Sequence, residues 1–244
     1  MKKVLLISLL SIVVAVAGGA WWLMGSLDTL VAKAIRAYAP EITGVSFKLD
    51  SVHIAPSEGA AALKGLELGN PSGFHTEKAI AVANIAMKLD VASLTKDVVL
   101  IHEIVIESPE VSYEYASGGS NLDVIQRHVQ SYVDERTGGA SASDPKSPKK
   151  KVIIENLYVR NGKVSVSAQA LNGKAMSVPL PDIHLTDIGK SSGGTSPAQA
   201  AKQVVNSITQ GASKAASSLH LDSIAHSVGN AVSAGVDKVK GLFK

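Results

Sequence analysis

Apolar and polar residues alternate with a period of two through the middle of the chain. Val45, Phe47 and Leu49 alternate with Ser46, Lys48 and Asp50; Leu66 and Leu68 follow; then Ile85, Met87, Leu89 and Val91 alternate with Ala86, Lys88 and Asp90. Such alternation marks strands with one buried face. Two later stretches carry the same pattern: "IHEIVIESPEVSYEY" from Ile101 and "IENLYVRNGKVSVSA" from Ile154. Their apolar positions coincide, with Ile104, Ile106, Val111 and Tyr113 in the first and Leu157, Val159, Val164 and Val166 in the second. Each is broken by two residues, Ser108-Pro109 and Asn161-Gly162. A two-residue break allows only a tight reversal or a sharp corner, so neighbouring strands are expected to be antiparallel. The sheet is expected to end with Ile183 and Leu185.

Elsewhere the period is helical. Leu27, Leu30, Val31, Ala34, Ile35 and Tyr38 share one face of a helix over 25–40 that Pro40 is expected to stop. Leu122, Ile125, Val129 and Val133 predict a helix over 120–134, with Ser120 and Asp123 spaced as a capping box. Between this helix and the second matched stretch, 136–150 is rich in Gly, Ser, Pro and Lys and reads as a disordered loop. From 190 to 244 the composition shifts to Ala, Ser, Val and Gly. There Val204, Val205, Ile208, Ala212, Ala215 and Leu219, then Val228, Val232, Val236, Val239 and Leu242, predict weakly amphipathic helices that need a surface to bind.

The N-terminus is of a third kind. After Lys2 and Lys3, Val4 to Met24 is uncharged and apolar, long enough to cross a hydrocarbon core of roughly 30 Å as a helix. Ala15-Val16-Ala17 offers a signal-peptide cleavage site, but the apolar run continues past it to Trp21 and Trp22, which favour the membrane interface. An uncleaved anchor over 1–24 is the expectation. Lys2 and Lys3 place its N-terminus in the cytoplasm and the bulk of the chain outside.

Composition removes several classes of function. With no cysteine there is neither a disulfide nor a thiolate metal site. A net charge of +3 is too weak for nucleic acid, and the dense cluster Lys146, Lys149, Lys150 and Lys151 borders the loop. Asp182, His184 and Asp187 lie close together but lack the spacing of a metal site. His220 and His226 are six apart and fall on different helical faces. "GGSN" and "SSGGTS" lack the context of a phosphate loop, and no serine stands in a nucleophile elbow. Neither catalysis nor a cofactor is expected. What remains is an aliphatic face with little predicted to cover it, a trough suited to acyl chains.

The phrases "GVSFKLDSVHI", "ALKGLELGNPSGF", "VANIAMKLDVASL" and "IHEIVIESPEVSYEYASGGSNLDVI", in that order behind a lysine-led anchor, resemble the N-terminal region of AsmA-like proteins of Gram-negative bacteria. The resemblance is close over residues 1–129 and looser over 151–188. It implies a periplasmic β-groove curled like a taco shell, shared with chorein-type bridge-like lipid transfer proteins, and a part in phospholipid transport or outer-membrane homeostasis.

The resulting expectation is mainly β with flanking helices: anchor 1–24, amphipathic helix 25–40, antiparallel groove 41–189 and helical region 190–244. About eight strands at roughly 4.8 Å would make a groove near 40 Å long. Ile85, Met87, Leu89, Ile104, Ile106, Val111, Leu157, Val159, Val164 and Val166 are the expected lining. The expected partners are the inner membrane, phospholipid acyl chains and other envelope proteins. The alternative is an envelope scaffold or outer-membrane assembly factor whose apolar face is covered by the C-terminal helices or a partner.

Overall fold

The computed structural model describes residues 27–116, 119–138, 150–168 and 175–219. Within them, eleven strand segments form a single sheet, curled into a half-barrel. In chain order they are β1 (Phe47–Lys48), β2 (Ser51–Ala55), β3 (Ala60–Gly69), β4 (Lys78–Leu89), β5 (Val98–Glu107), β6 (Glu110–Ala116), β7 (Gly119–Ser120), β8 (Lys151–Arg160), β9 (Lys163–Ala168), β10 (Met176–Pro179) and β11 (Ile183–Ile188).

Several segments are halves of one strand. Asn84 pairs with Glu107 of β5 and Ala81 with Glu110 of β6, so β5 and β6 run along β4 in one unbroken register. The same holds for β8 and β9 along β5 and β6, for β11 and β10 along β8 and β9, and for β1 and β2 along β3. Ten of the eleven segments therefore make six long lines, in the order β1/β2, β3, β4, β5/β6, β8/β9, β11/β10, and the two-residue β7 pairs with the end of β6. At roughly 4.8 Å between lines the sheet spans about 24 Å, narrower than the groove expected from eight separate strands.

The breaks line up. Carrying the registers through, Asp50, Gly65, Ala83, Ser108, Asn161 and Pro181 lie on one line across the sheet. Gly65, Ser108 and Asn161 on that line have φ of 62°, 51° and 55°, a left-handed conformation that bends the strand and lets its side-chain alternation restart. Ladder bonds bridge the bend: Ser108 donates to Arg160 O at 2.8 Å, Lys163 to Pro109 O at 2.9 Å and Leu180 to Gly162 O at 2.8 Å. Gly162 is needed at this crease, since a Cβ there would stand 2.9 Å from Leu180 Cδ2 and 3.1 Å from Pro109 Cγ.

The expected antiparallel arrangement holds between all neighbouring lines but β5/β6 and β8/β9, and is corrected there. Ser108-Pro109 and Asn161-Gly162 are corners that leave the strand direction unchanged, and the matched stretches pair side by side in parallel, Ile101 with Ile154 through Tyr115 with Ala168. A parallel pair requires a long crossover. The segment from 117 to 150, containing helix α2 (Asn121–Gly138), supplies it.

Three helices flank the sheet. The described part of α1 covers 27–43 and continues through Pro40, against the expected stop. Pro40 removes one donor, but Gly44, at φ 73°, donates to Pro40 O at 2.8 Å and closes a further turn. Helix α2 starts from a reciprocal cap, Asp123 N to Ser120 Oγ at 3.1 Å and Ser120 N to Asp123 Oδ2 at 2.9 Å. Helix α3 (Pro197–Ser217) opens on a full capping box between Ser196 and Gln199. Among the described residues no helix is long and apolar enough to cross a membrane. The expected anchor over 1–24, with Lys2, Lys3, Trp21 and Trp22, lies outside the described residues, as do 139–149 of the expected loop and everything after 219.

Candidate functional site

Residues paired across a sheet point their side chains to the same side, so the register fixes which residues share a face. One row runs Val52, Leu63, Ile85, Ile106, Val159, Ile183; the next runs Ile54, Ala61, Met87, Ile104, Leu157, Leu185. A third joins Leu89, Ile101, Ile154 and Ile188. Beyond the crease the rows continue as Leu68, Ile80, Val111, Val164 and Val178, then Tyr113, Val166 and Met176. All ten residues proposed from the sequence fall in these rows. The break of parity at the crease and a second irregularity at Lys88/Leu89 keep the apolar positions on one side along the whole strand.

The two ends of this face differ in cover. Beyond the crease, α2 and α3 lie over β6 and β9: Val164 and Val166 are 0% exposed, Val111 1%, and Val129 of α2 and Ala212 of α3 0%. Val159 and Leu157 are sealed as well. These positions form a closed core, because helices that looked weak in isolation gain their stability from this packing. At the other end, over β4 and β5, Met87, Leu89, Ile101 and Ile104 are only half-buried, with Ile54 beside them. We call these the closed half and the open half.

Two elements border the open half. Asp28 near the start of α1 accepts from Ile54 N at 2.8 Å, and Arg36 caps Leu49 O at 2.6 and 3.0 Å, so α1 closes the β1/β2 edge. On the far side, Thr195 exchanges backbone bonds with Val152 at 2.8 and 2.9 Å, and α3 begins there.

The opposite face of the sheet is polar. Lys88 pairs with Glu103 at 2.8 Å and His102 with Glu155 at 2.8 Å. Asp182, His184 and Asp187 sit at the β11 edge with separate partners: Asp182 accepts from Asn161 N, His184 contacts Asn156 at 3.1 Å and stacks on Tyr158, and Asp187 pairs with Lys190 at 2.8 Å. They do not converge.

Sequence reasoning missed one buried polar cluster. Glu114, 6% exposed, accepts from His75 N at 2.8 Å, Thr76 N at 2.8 Å and Thr76 Oγ1 at 3.0 Å, with His75 Nδ1 at 2.9 Å. Burial pushes its carboxyl up, but these bonds, led by the Thr76 amide, outweigh it and hold the pKa below the ordinary value. Asn121, 0% exposed, receives Glu114 N at 2.9 Å and donates to Ser112 O at 2.8 Å and Asn70 Oδ1 at 2.7 Å. The "NPSGF" loop, β6 and the start of α2 are thus tied at one point. The only available signal was polar residues just outside predicted strands and at a helix start, which on pattern alone read as solvated.

The phrases that meet in this cluster, "NPSGF" and "SPEVSYE", are among those that carry the family resemblance. No curated protein matches the chain. A profile of the AsmA family matches residues 1–218, which takes in α1, every strand and α3. With that match extending over most of its length, the chain belongs to the AsmA family.

Proposed function

We propose that this protein is a non-enzymatic, inner-membrane-anchored envelope protein whose open half shields lipid acyl chains, with its sheet in the periplasm and a role in phospholipid transport or outer-membrane homeostasis. The observation that carries the reading is the contiguous patch of half-buried aliphatic side chains at Met87, Leu89, Ile101 and Ile104, on a face whose centre, from Val111 and Leu157 to Val166, is sealed. Contiguous apolar surface left uncovered on a folded domain marks an interaction site. Shielding an acyl chain there is a matter of area, at roughly 25 cal/mol per Å² removed from water, with no bond made or broken.

The place where the N-terminal segment joins the domain supports the orientation. Asp28 pins the start of α1 to Ile54, in the same row as Met87 and Ile104. The first described turn of α1 thus lies beside the open half, which supports a reading in which an anchor over 1–24 would hold that half toward the bilayer, the source of acyl chains.

A second reading is favoured by α2 and α3. They make Val111, Leu157, Val159, Val164 and Val166 core residues, so the domain is also suited to be a scaffold that holds partners without carrying lipid. Native mass spectrometry of the full chain, released from detergent, separates the two. Retained phospholipid, lost when Ile104 is replaced by Asp in a protein that stays folded, supports shielding; lipid-free protein from native membranes leaves the scaffold reading.

A further inference from the structure

Among the described residues the large hydrophobic side chains left in water are Leu30, Val91 and Tyr115, with Leu30 59% and Val91 41% exposed. Single exposed aliphatics are ordinary, but Leu30 and Val91 both stand at the open end of the sheet. Val91 begins the turn from β4 to β5, just beyond Leu89, and Leu30 lies in the turn of α1 that Asp28 ties to Ile54. The turn that carries Val91 is firmly bonded. Asp90 N donates to Leu100 O at 3.0 Å, and the buried Ser93 donates from Oγ to Asp90 O at 2.6 Å and accepts from Leu100 N at 2.8 Å. Leu89 N donates to Gly59 O at 2.7 Å, which sets the β2–β3 turn alongside. Lys150 Nζ closes the other side, donating to Leu94 O at 2.5 Å and Lys96 O at 3.1 Å.

Inside this end the apolar face is a slot with a floor. Leu89 and Ile101 form the rim, and Met87 and Ile104 the row below it, all half-buried. In the third row Ile85 and Ile106 are buried. Ala61, Ile154 and Leu157 are buried on the flanks, with Ile54 and Leu185 beyond them at the sheet's borders. The strip is two neighbouring strands wide, roughly 4.8 Å apart, and its floor at Ile85 lies roughly 13 Å below the rim at Leu89.

We propose that this end of the domain is a membrane-entering tip: Leu30 and Val91 seat in the surface of a phospholipid bilayer, and one acyl chain enters the slot end-on, its terminal methyl stopping at Ile85 and Ile106. The headgroup stays at the bilayer surface while the chain swings out of the leaflet and up between β4 and β5. The floor prevents a chain from sliding on toward the closed half, and a strip of two strands takes one chain at a time. Around the two turns Glu58, Asp90 and Asp97 stand against Lys96, Lys150 and Lys151, so apolar contact rather than headgroup charge draws the tip in, and a zwitterionic bilayer suffices. This rests on the shielding reading and adds where, and in which direction, a chain enters.

The chain has no cysteine, so an introduced thiol is a unique handle. Full chain in phosphatidylcholine nanodiscs, carrying Val91→Cys labelled with an environment-sensitive fluorophore, is expected to be quenched by brominated acyl chains. The same label at Tyr115→Cys, at the far end of β6, is expected to stay bright. An unquenched label at position 91, or equal quenching at both positions, overturns the tip. Two phosphatidylcholine probes then read the slot, one with a diazirine at the end of a chain and one with it at mid-chain. The terminal probe is expected to reach Met87 and Ile104, and the mid-chain probe to stop at Leu89 and Ile101. Val91→Asp should cut terminal labelling of Met87 and Ile104 about tenfold, as the lost burial of one aliphatic side chain predicts; unchanged labelling overturns the tip. Labelling of Val111 or Val164 by either probe overturns the floor. Mid-chain labelling of Met87 and Ile104 as strong as terminal labelling overturns end-on entry and leaves shielding standing, whereas a sheet unlabelled by both probes overturns end-on entry and shielding together.

Discussion

The closed and open halves of the apolar face are made of the same kinds of residues, yet they do different things. Val164 and Val166 beneath α2 and α3 have no contact with water, whereas Ile104 and Met87, two residues of the same aliphatic class on the same side of the same sheet, remain half-buried. Aliphatic character therefore does not separate core from binding surface here. What separates them is which stretch of strand the helices reach, and that depends on the crossover between β6 and β8 and on the path of α3.

Four substitutions sharpen the comparison. Val159→Asp places an unpaired carboxylate in the sealed region, where Val159 is 1% exposed; a loss of about 4 kcal/mol or more is expected. Circular dichroism should show an unfolded or non-accumulating protein. Asn121→Ala removes three hydrogen bonds from a fully buried site, at a cost of about 2–3 kcal/mol because the groups left behind remain desolvated. Urea unfolding at neutral pH measures it. Gly162→Ala crowds Leu180 and Pro109 at the crease and should cost about 2 kcal/mol by overpacking, seen as a lowered Tm. Ile104→Asp, in the open half, should cost only about 1 kcal/mol and leave the circular dichroism spectrum intact. Equal losses for Val159→Asp and Ile104→Asp would erase the distinction between the halves.

A pH series tests the Glu114 cluster separately. Its carboxyl has a lowered pKa in the folded protein, so its contribution to stability is fully present above the ordinary carboxylate value of 4.5 and is lost as pH falls through the lower folded value. Glu114→Gln should reduce stability at neutral pH and flatten the part of the acid-induced loss below about 4.5 that this group supplies. An unchanged acid profile would show that the cluster does not hold the loop in place through charge.

Much of this fold was legible in the alternation. The match between Ile101–Tyr115 and Ile154–Ala168 is a spatial fact, since the two stretches pair in the register at which their sequences coincide. All ten proposed lining residues share one face, because a period of two constrains the side of a sheet directly. The direction of one pairing, between the two matched stretches, was not legible. A two-residue break is compatible with a reversal or a corner, and the choice depends on φ values at Ser108 and Asn161 that no local pattern specifies. Cover was not legible either. The Ala- and Ser-rich helix α3 is a poor helix alone, and only its packing shows that small residues allow the close approach of Ala212 and Gly211 to the sheet. Glu114 was missed because its burial comes from a loop forty residues away in sequence, on a face the alternation marks as polar.

The central claim is that acyl chains meet this sheet only at its open half. A phospholipid with a photoreactive group at the end of one acyl chain, incorporated with the full chain into bilayer nanodiscs, irradiated and mapped by peptide mass spectrometry, tests it directly. The account predicts labelling at Met87, Leu89, Ile101 and Ile104 on β4 and β5 and none at Val111, Val164 or Val166. Labelling of those three sealed residues, or of no residue on the sheet, would contradict it.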